Sequence, residues 1–287
     1  MSDDIVFSIV IPSWNNLDFL KLCLQSLKKN SRYQHQIIVH INEGTDGTLE
    51  WIKTQKIDYS YSCENVGVCY AVNAAASLAT ADYIVYMNDD MYVCPDWDFY
   101  LLNEIKNTDG DSFFFSSTLI EPKKTSNNCV LVADYGTCPS DFDEERLLKE
   151  YNSFSFNDWN GASWPPNVVS RRMWNLIGGY SIEFFPGMYS DPDFSMKLWQ
   201  AGVRNFKGIS NSRVYHFMSK STGKLKPGIK GNGKKLFLNK WQITSRTFYD
   251  FYLKMGTPFA GALPDKPKPG LRLKIKNRTS DFKRRFL

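Results

Sequence analysis

No apolar run in the 287 residues approaches the roughly 20 that cross a bilayer, so no membrane-spanning helix is expected. The first residues carry Asp3 and Asp4 and no basic stretch ahead of an apolar one, unlike a secretory leader. Glycine-rich phosphate signatures are missing too. Neither a dinucleotide fingerprint nor a Walker-type loop follows the first apolar run, which disfavours a nicotinamide dehydrogenase or a P-loop enzyme. The six cysteines (Cys23, Cys63, Cys69, Cys94, Cys129 and Cys138) lack paired metal-ligand spacing and read as free thiols of a reducing, cytoplasmic compartment. Histidine is scarce, with 3 in the chain, so each one is conspicuous.

What is present describes a folded chain. A hydrophobic share of 43% and an aromatic share of 15% exclude a disordered protein. The length suits one large α/β domain or two smaller ones. Net charge of +5 hides an asymmetry: residues 1–219 hold 17 Lys and Arg against 27 Asp and Glu, whereas 220–287 hold 18 against 3. An acidic body with a basic tail implies an anionic partner for the tail.

Apolar runs predict buried strands at 6–11 and 83–87, further strands are expected at 36–41 and 59–62, and Leu17, Leu20, Leu24 and Leu27 recur at helical spacing over 17–29. Helices from about 49 and over 68–79 complete a strand–helix alternation, which demands right-handed crossovers and a mostly parallel sheet. The strand-end loops 12–16, 42–48 and 88–90 then gather at one edge, around a nucleotide-sized crevice. The fourth strand ends abruptly on Asn88, Asp89 and Asp90. Adjacent carboxylates there repel unless a cation arrives, and a divalent ion completed by substrate phosphates is one answer. A solvated turn is the other.

The segment Ile9-Val10-Ile11-Pro12-Ser13-Trp14-Asn15 resembles the opening strand of the family 2 glycosyltransferases. Thr45-Asp46-Gly47-Thr48 is similar to that family's second loop. Glu64-Asn65-Val66-Gly67, Asn73 and Asn88-Asp89-Asp90 resemble its third loop, following helix and aspartate motif. Gly178-Gly179-Tyr180, Phe184-Phe185, the run Tyr189-Ser190-Asp191-Pro192-Asp193-Phe194 and Lys197-Leu198 look like its acceptor-side segment.

The resemblance implies an α/β fold of the GT-A type. Its mostly parallel central sheet is flanked by helices and joins a Rossmann-like nucleotide-binding half (1–98) to an acceptor half (99–216). It further implies an inverting transferase that uses a nucleotide-sugar donor and a divalent metal, Mn2+ or Mg2+. Pro12, Trp14, Asn42 and Asn65 would hold base and ribose, with Asn15, Gly67, Asn73 and Asn88 also on the donor side. Asp89 would touch ribose or metal, Asp90 would be the main metal ligand, and His216, after a strand at 213–215, a further one. Ile41-Asn42 stands where the family has two acidic residues, and an amide both donates and accepts where a carboxylate only accepts.

Asp191 matches the family's base, which takes the proton of the acceptor hydroxyl. The residues also allow a helix cap there, with Asp191 ahead of Pro192 and a helix over 193–201. Asp193 is the next candidate base. Arg171-Arg172 is expected to face phosphates.

Beyond 216, a glycine- and lysine-rich stretch over 219–235 reads as a flexible loop able to close over a diphosphate, or as a solvated one. An amphipathic helix over 236–254, a Pro-rich linker over 258–269 and a basic tail follow. The domain plan is therefore 1–216, 217–257 and 258–287. Basic residues interleaved with Leu271, Leu273 and Ile275 suit an anionic membrane surface, and a helix packed on the acidic body is the other reading. No nucleic-acid module accompanies the charge. The expected partners are a nucleotide sugar, a glycan or lipid-linked acceptor, and the inner face of a membrane. A sugar-phosphate nucleotidyltransferase and a non-catalytic carbohydrate-binding protein are the rival readings.

Overall fold

Strand β1 (Phe7–Trp14) shows why this sequence makes a two-sided sheet. Phe7, Ile9 and Ile11 join one core cluster, while Val10 between them joins another. Both faces are therefore covered, as a parallel strand requires. The computed structural model describes residues 5–218, 232–267 and 270–284.

Helix α1 (Leu17–Asn30) buries Leu20, Cys23, Leu24 and Leu27 on the first face. β2 (Gln36–Asn42), α2 (Thr48–Lys53), β3 (Asp58–Ser62), α3 (Gly67–Ala76) and β4 (Tyr83–Tyr86) complete the first half. β1 pairs in parallel with β2 and β4, and β2 with β3. β5 (Met91–Val93) and α4 (Trp97–Lys106) lead to the long strand β6 (Phe113–Glu121), and β7 (Val130–Val132), α5 (Glu144–Glu150) and β8 (Trp159–Asn160) follow. β9 (Asn167–Ser170), α6 (Arg171–Ile177), α7 (Ser190–Gln200) and β10 (Asn205–His216) close the sheet, whose order is β3-β2-β1-β4-β9-β6-β10-β5 with β7 on β6 and β8 on β10.

The sheet is mostly parallel, with a mixed second half. β9 runs against both β4 and β6, and β5 and β8 run against β10. The connection 87–90 between β4 and β5 is too short to be a crossover, so β5 cannot extend the parallel pattern.

Three local expectations change. The helix expected over 236–254 is broken into α8 (Gly233–Trp241), α9 (Ser245–Thr247) and a π-helical turn Phe248–Leu253. Gln242 in the left-handed region (φ 65) stops α8, and the Thr244 hydroxyl caps α9. Helix α7 starts at Ser190 after Tyr189 (φ 72), so Asp191 lies within its first turn and does not cap it. The tail forms a helix, α10 (Leu271–Arg284), packed against α8 and α9. The greater part of the expected 219–235 loop, residues 219–231, lies outside the described residues.

Candidate active site

The carboxyl ends of β1, β2, β3 and β4 open on one cavity of about 260 Å³, closed on the far side by the turn 186–188 and the start of α7. Pro12, Trp14, Asn42, Asn65 and Gly67 line one end. Asn88, Asp89, Asp90 and His216 line the other, and Asp191 faces the same space. Of the residues expected on the donor side, at the metal and as first-choice base, all but Asn15 and Asn73 therefore meet here.

The first end is held by side-chain bonds between loops. Glu43, which the sequence reading passed over, accepts from Trp14 Nε1 and from Asn15 Nδ2, both at 2.9 Å. Asn15 in turn accepts from the Thr45 amide at 2.8 Å. It buttresses the loops and does not line the cavity. Asn42 Oδ1 accepts from the Val66 amide at 3.1 Å and from the Ser62 hydroxyl at 3.2 Å. The orientation of the amide is thereby fixed, with its oxygen committed to the protein. Asn65 Oδ1 accepts from Gly67 N at 2.9 Å and starts the turn into α3. Gly67 has φ +75, and a Cβ there would come within 2.6 Å of the Phe185 ring, so the acceptor-side turn packs only against glycine.

Asn73 does not reach the cavity. Its amide bridges the backbone N–H (2.8 Å) and carbonyl (2.7 Å) of Tyr180, securing the Gly-Gly-Tyr turn against α3. Arg171 and Arg172 are also elsewhere. They pair with Asp82 and Asp111 beside Ser170, which is opposite Tyr83 at the start of β4, and so lie at the other end of the sheet from Asp90. A phosphate role for them is overturned by that placement.

At the second end Asp89 and Asp90 are buried, with 6% and 5% exposure. Asp89 accepts from Asn16 Nδ2 at 3.1 Å. Asp90 Oδ2 lies 3.5 Å from His216 Nε2, and His216 Nδ1 lies 3.0 Å from Glu121 Oε1. Although burial opposes the charge, the two flanking carboxylates push the His216 imidazolium up to about 10. The negative charge of Asp89 and Asp90 adds to burial in raising the nearby Cys23 thiol.

Among the described residues no group of three or more His, Cys, Asp and Glu side chains converges as a closed metal cage. An open pair, one carboxylate and one imidazole at 3.5 Å, fits a hard cation that takes its remaining ligands from substrate oxygens and water.

Asp191 lines the same cavity as that pair. Burial pushes its carboxyl up to about 7, against the opposing effect of the Tyr180 hydroxyl at 3.3 Å. A carboxylate tuned near neutrality, reachable from the cavity, is suited to accept a proton. Asp193 cannot share the task. It is fully buried and accepts from Ser181 Oγ (2.6 Å), Trp241 Nε1 (2.7 Å) and Lys240 Nζ (3.0 Å), away from the cavity lining.

The sheet order, the strand-end crevice and the paired acidic sites define a GT-A type α/β protein. The same fold appears in TarS of S. aureus, residues 1–349 (TM-score 0.55, 14% identity, 74% of this chain and 60% of that one). It appears also in GalNAc-T7, solved with UDP, GalNAc and Mn2+ (TM-score 0.55, 16% identity, 74% and 44%). A model of glycosyl transferase family 2 matches residues 8–172, and the chain belongs to that family. A hyaluronan synthase of Pasteurella multocida is 26% identical over 227 residues, covering 76% of this chain. The chain spans only 21% of that relative's length.

Proposed function

We propose that the protein moves a sugar from a nucleoside-diphosphate sugar to an acceptor hydroxyl, with inversion at the anomeric carbon. The observation that supports this reading is the shared cavity, whose lining includes Asp191 together with Asp90 and His216. Trp14 would stack on the base, and Asn42, Asn65 and Pro12 would surround base and ribose, leaving the diphosphate toward Asp89 and Asp90. The acceptor hydroxyl gives its proton to Asp191 as its oxygen attacks the anomeric carbon. The bond to the diphosphate oxygen breaks on the opposite side, so a single displacement inverts the centre. Asp90 and His216 would hold Mn2+ or Mg2+, which stabilises the charge growing on the leaving diphosphate.

The curated relative supports a glycan acceptor, and the basic helix α10 supports one presented at a membrane. Attachment to the cytoplasmic face through α10 belongs to the same proposal. A sugar-phosphate nucleotidyltransferase is less suited: among the described residues lining the cavity there is no Lys or Arg to neutralise a triphosphate. A binding protein without activity would have no use for a buried carboxyl that lines the same cavity as Asp90 and His216.

A panel of UDP-, GDP-, CDP- and dTDP-sugars, each with and without Mn2+, tests the reading by thermal shift and by release of the nucleoside diphosphate. One donor should stabilise the fold and be slowly hydrolysed only with metal. Absence of binding to every nucleotide would overturn the proposal.

A further inference from the structure

Three strand ends set Glu121, His216 and Asp90 in a row. Ile120 of β6 is in register with Tyr215 of β10, so Glu121 and His216 are the next residues out on neighbouring parallel strands. On the other side of β10, His216 is opposite Met91 of β5, which follows Asp90. The Phe217 amide donates to the Asp90 carbonyl at 3.1 Å and ties the turn to the strand.

Glu121 is 5% exposed. Its Oε1 meets His216 Nδ1 at 3.0 Å, whereas Oε2 is buried with no hydrogen-bond partner among the described residues. Burying a carboxylate with half its acceptor capacity unused is costly. Packing alone would favour an apolar side chain of the same size, so what this carboxylate does must be found in its one side-chain hydrogen bond among the described residues.

That contact fixes the imidazole. A carboxylate oxygen accepts and cannot donate, so Nδ1 must carry the hydrogen. The ring is then held with Nε2 as the atom presented toward Asp90, across 3.5 Å. In a metal site, such a partner sets both the tautomer and the plane of the ligating ring.

We propose that Glu121 is the positioning residue of the cation site: it holds the His216 ring by Nδ1–H so that Nε2, once the incoming cation displaces its proton, ligates the divalent ion beside Asp90. The inference rests on the reading of Asp90 and His216 as metal ligands given above. Glu121 itself touches neither metal nor substrate. In Glu121→Gln the neutral amide can turn its NH2 toward Nδ1 and favour the opposite tautomer, with little change in volume.

Calorimetric titration of Mn2+ in the presence of UDP gives the first readout. E121Q should weaken Mn2+ by about 10- to 100-fold, while UDP affinity in a chelator stays within about twofold. Because Glu121 acts through the histidine, E121Q placed on His216→Ala should weaken Mn2+ no further than H216A does alone. A merely structural carboxylate would instead lower stability in both backgrounds and leave Mn2+ affinity unchanged.

Nitrogen-15 spectra of the wild-type histidines, loaded with Mg2+ and UDP, give a readout that does not depend on the variant folding. His216 should show a protonated Nδ1 and an unprotonated Nε2, and the reverse tautomer overturns the inference. If the wild type binds no Mn2+ with UDP, the metal reading fails and takes this one with it. Should the wild type bind and E121Q bind equally well, only the role of Glu121 is lost.

Discussion

At the scale of single residues, Asp191, the proposed base, carries a buried carboxyl that also weakens the fold. Its carboxyl is pushed up to about 7 by burial, so it is half ionised near neutrality. In the proposed role of base it would work only when ionised, so kcat/KM should rise with pH and level off above 7, falling about tenfold per unit below. Asp191→Asn should cut turnover by about 10² to 10⁴ while leaving nucleotide affinity nearly intact, which separates proton transfer from donor binding.

The same shift has a stability signature. A carboxyl raised in the folded state contributes stability that is present below its unfolded range and is lost as pH rises through about 7. Asp191→Asn should therefore be more stable than the wild type at pH 8 and no more stable at pH 4, as read by thermal melts. An unchanged difference between the two pH values would mean that the carboxyl is not strained in the free protein.

At the scale of elements, the segment after β10 is fastened to α7 by one buried carboxylate. Asp193 on α7 takes Lys240 and Trp241 from α8 and Ser181 from the acceptor-side turn. The start of α8 also abuts the cavity wall: a Cβ at Gly233 would lie 2.2 Å from the Met188 carbonyl. Asp193→Ala would leave the Trp241 indole N–H without its carboxylate, while Lys240 keeps Glu183 at 2.8 Å, costing about 1 to 3 kcal/mol, visible as a lower urea midpoint. Asp193→Asn should keep turnover at saturating substrate within a few fold, because this carboxylate is a fastening between helices. Loss of turnover in Asp193→Asn at unchanged stability would give it a direct part in the chemistry.

For the whole molecule the governing feature is the separation of charge. The tail carries its cations on a helix whose Leu273 and Ser280 are buried while Arg272, Lys274, Lys276 and Arg278 are exposed. Leu271 and Ile275, one turn apart, are also outward, at 75% and 54% exposure. The helix packs on α8 and α9, which belong to the basic part of the chain. A cationic face with aliphatic residues in it suits anionic lipid, each cation adding about 1 kcal/mol. The full chain should sediment with anionic but not neutral vesicles and be released by high salt. A chain ending at Pro264 should stay in solution and still bind nucleotide. Equal sedimentation of the two would give the tail another task.

The sequence by itself determined the first half of the sheet. The apolar runs, the spacing of Leu17, Leu20, Leu24 and Leu27 and the turn residues between them are local signals, and each maps onto β1 to β4 and their helices. It also indicated the strand-end Asp89-Asp90 pair, because the end of an apolar run is visible in the order of residues. Only the tertiary structure decided what meets across long stretches of chain. Glu121 lies 95 residues from His216, and no local pattern joins them. Asn73 looked like a donor contact and proved to be bonded to Tyr180, 107 residues away. Arg171 and Arg172 lie at the wrong end of the sheet because β9 enters antiparallel between β4 and β6, which reverses the chain just before them. Periodicity states which face of an element is apolar, but it cannot state which distant strand will be its neighbour. That choice is made by the packing of both sheet faces at once.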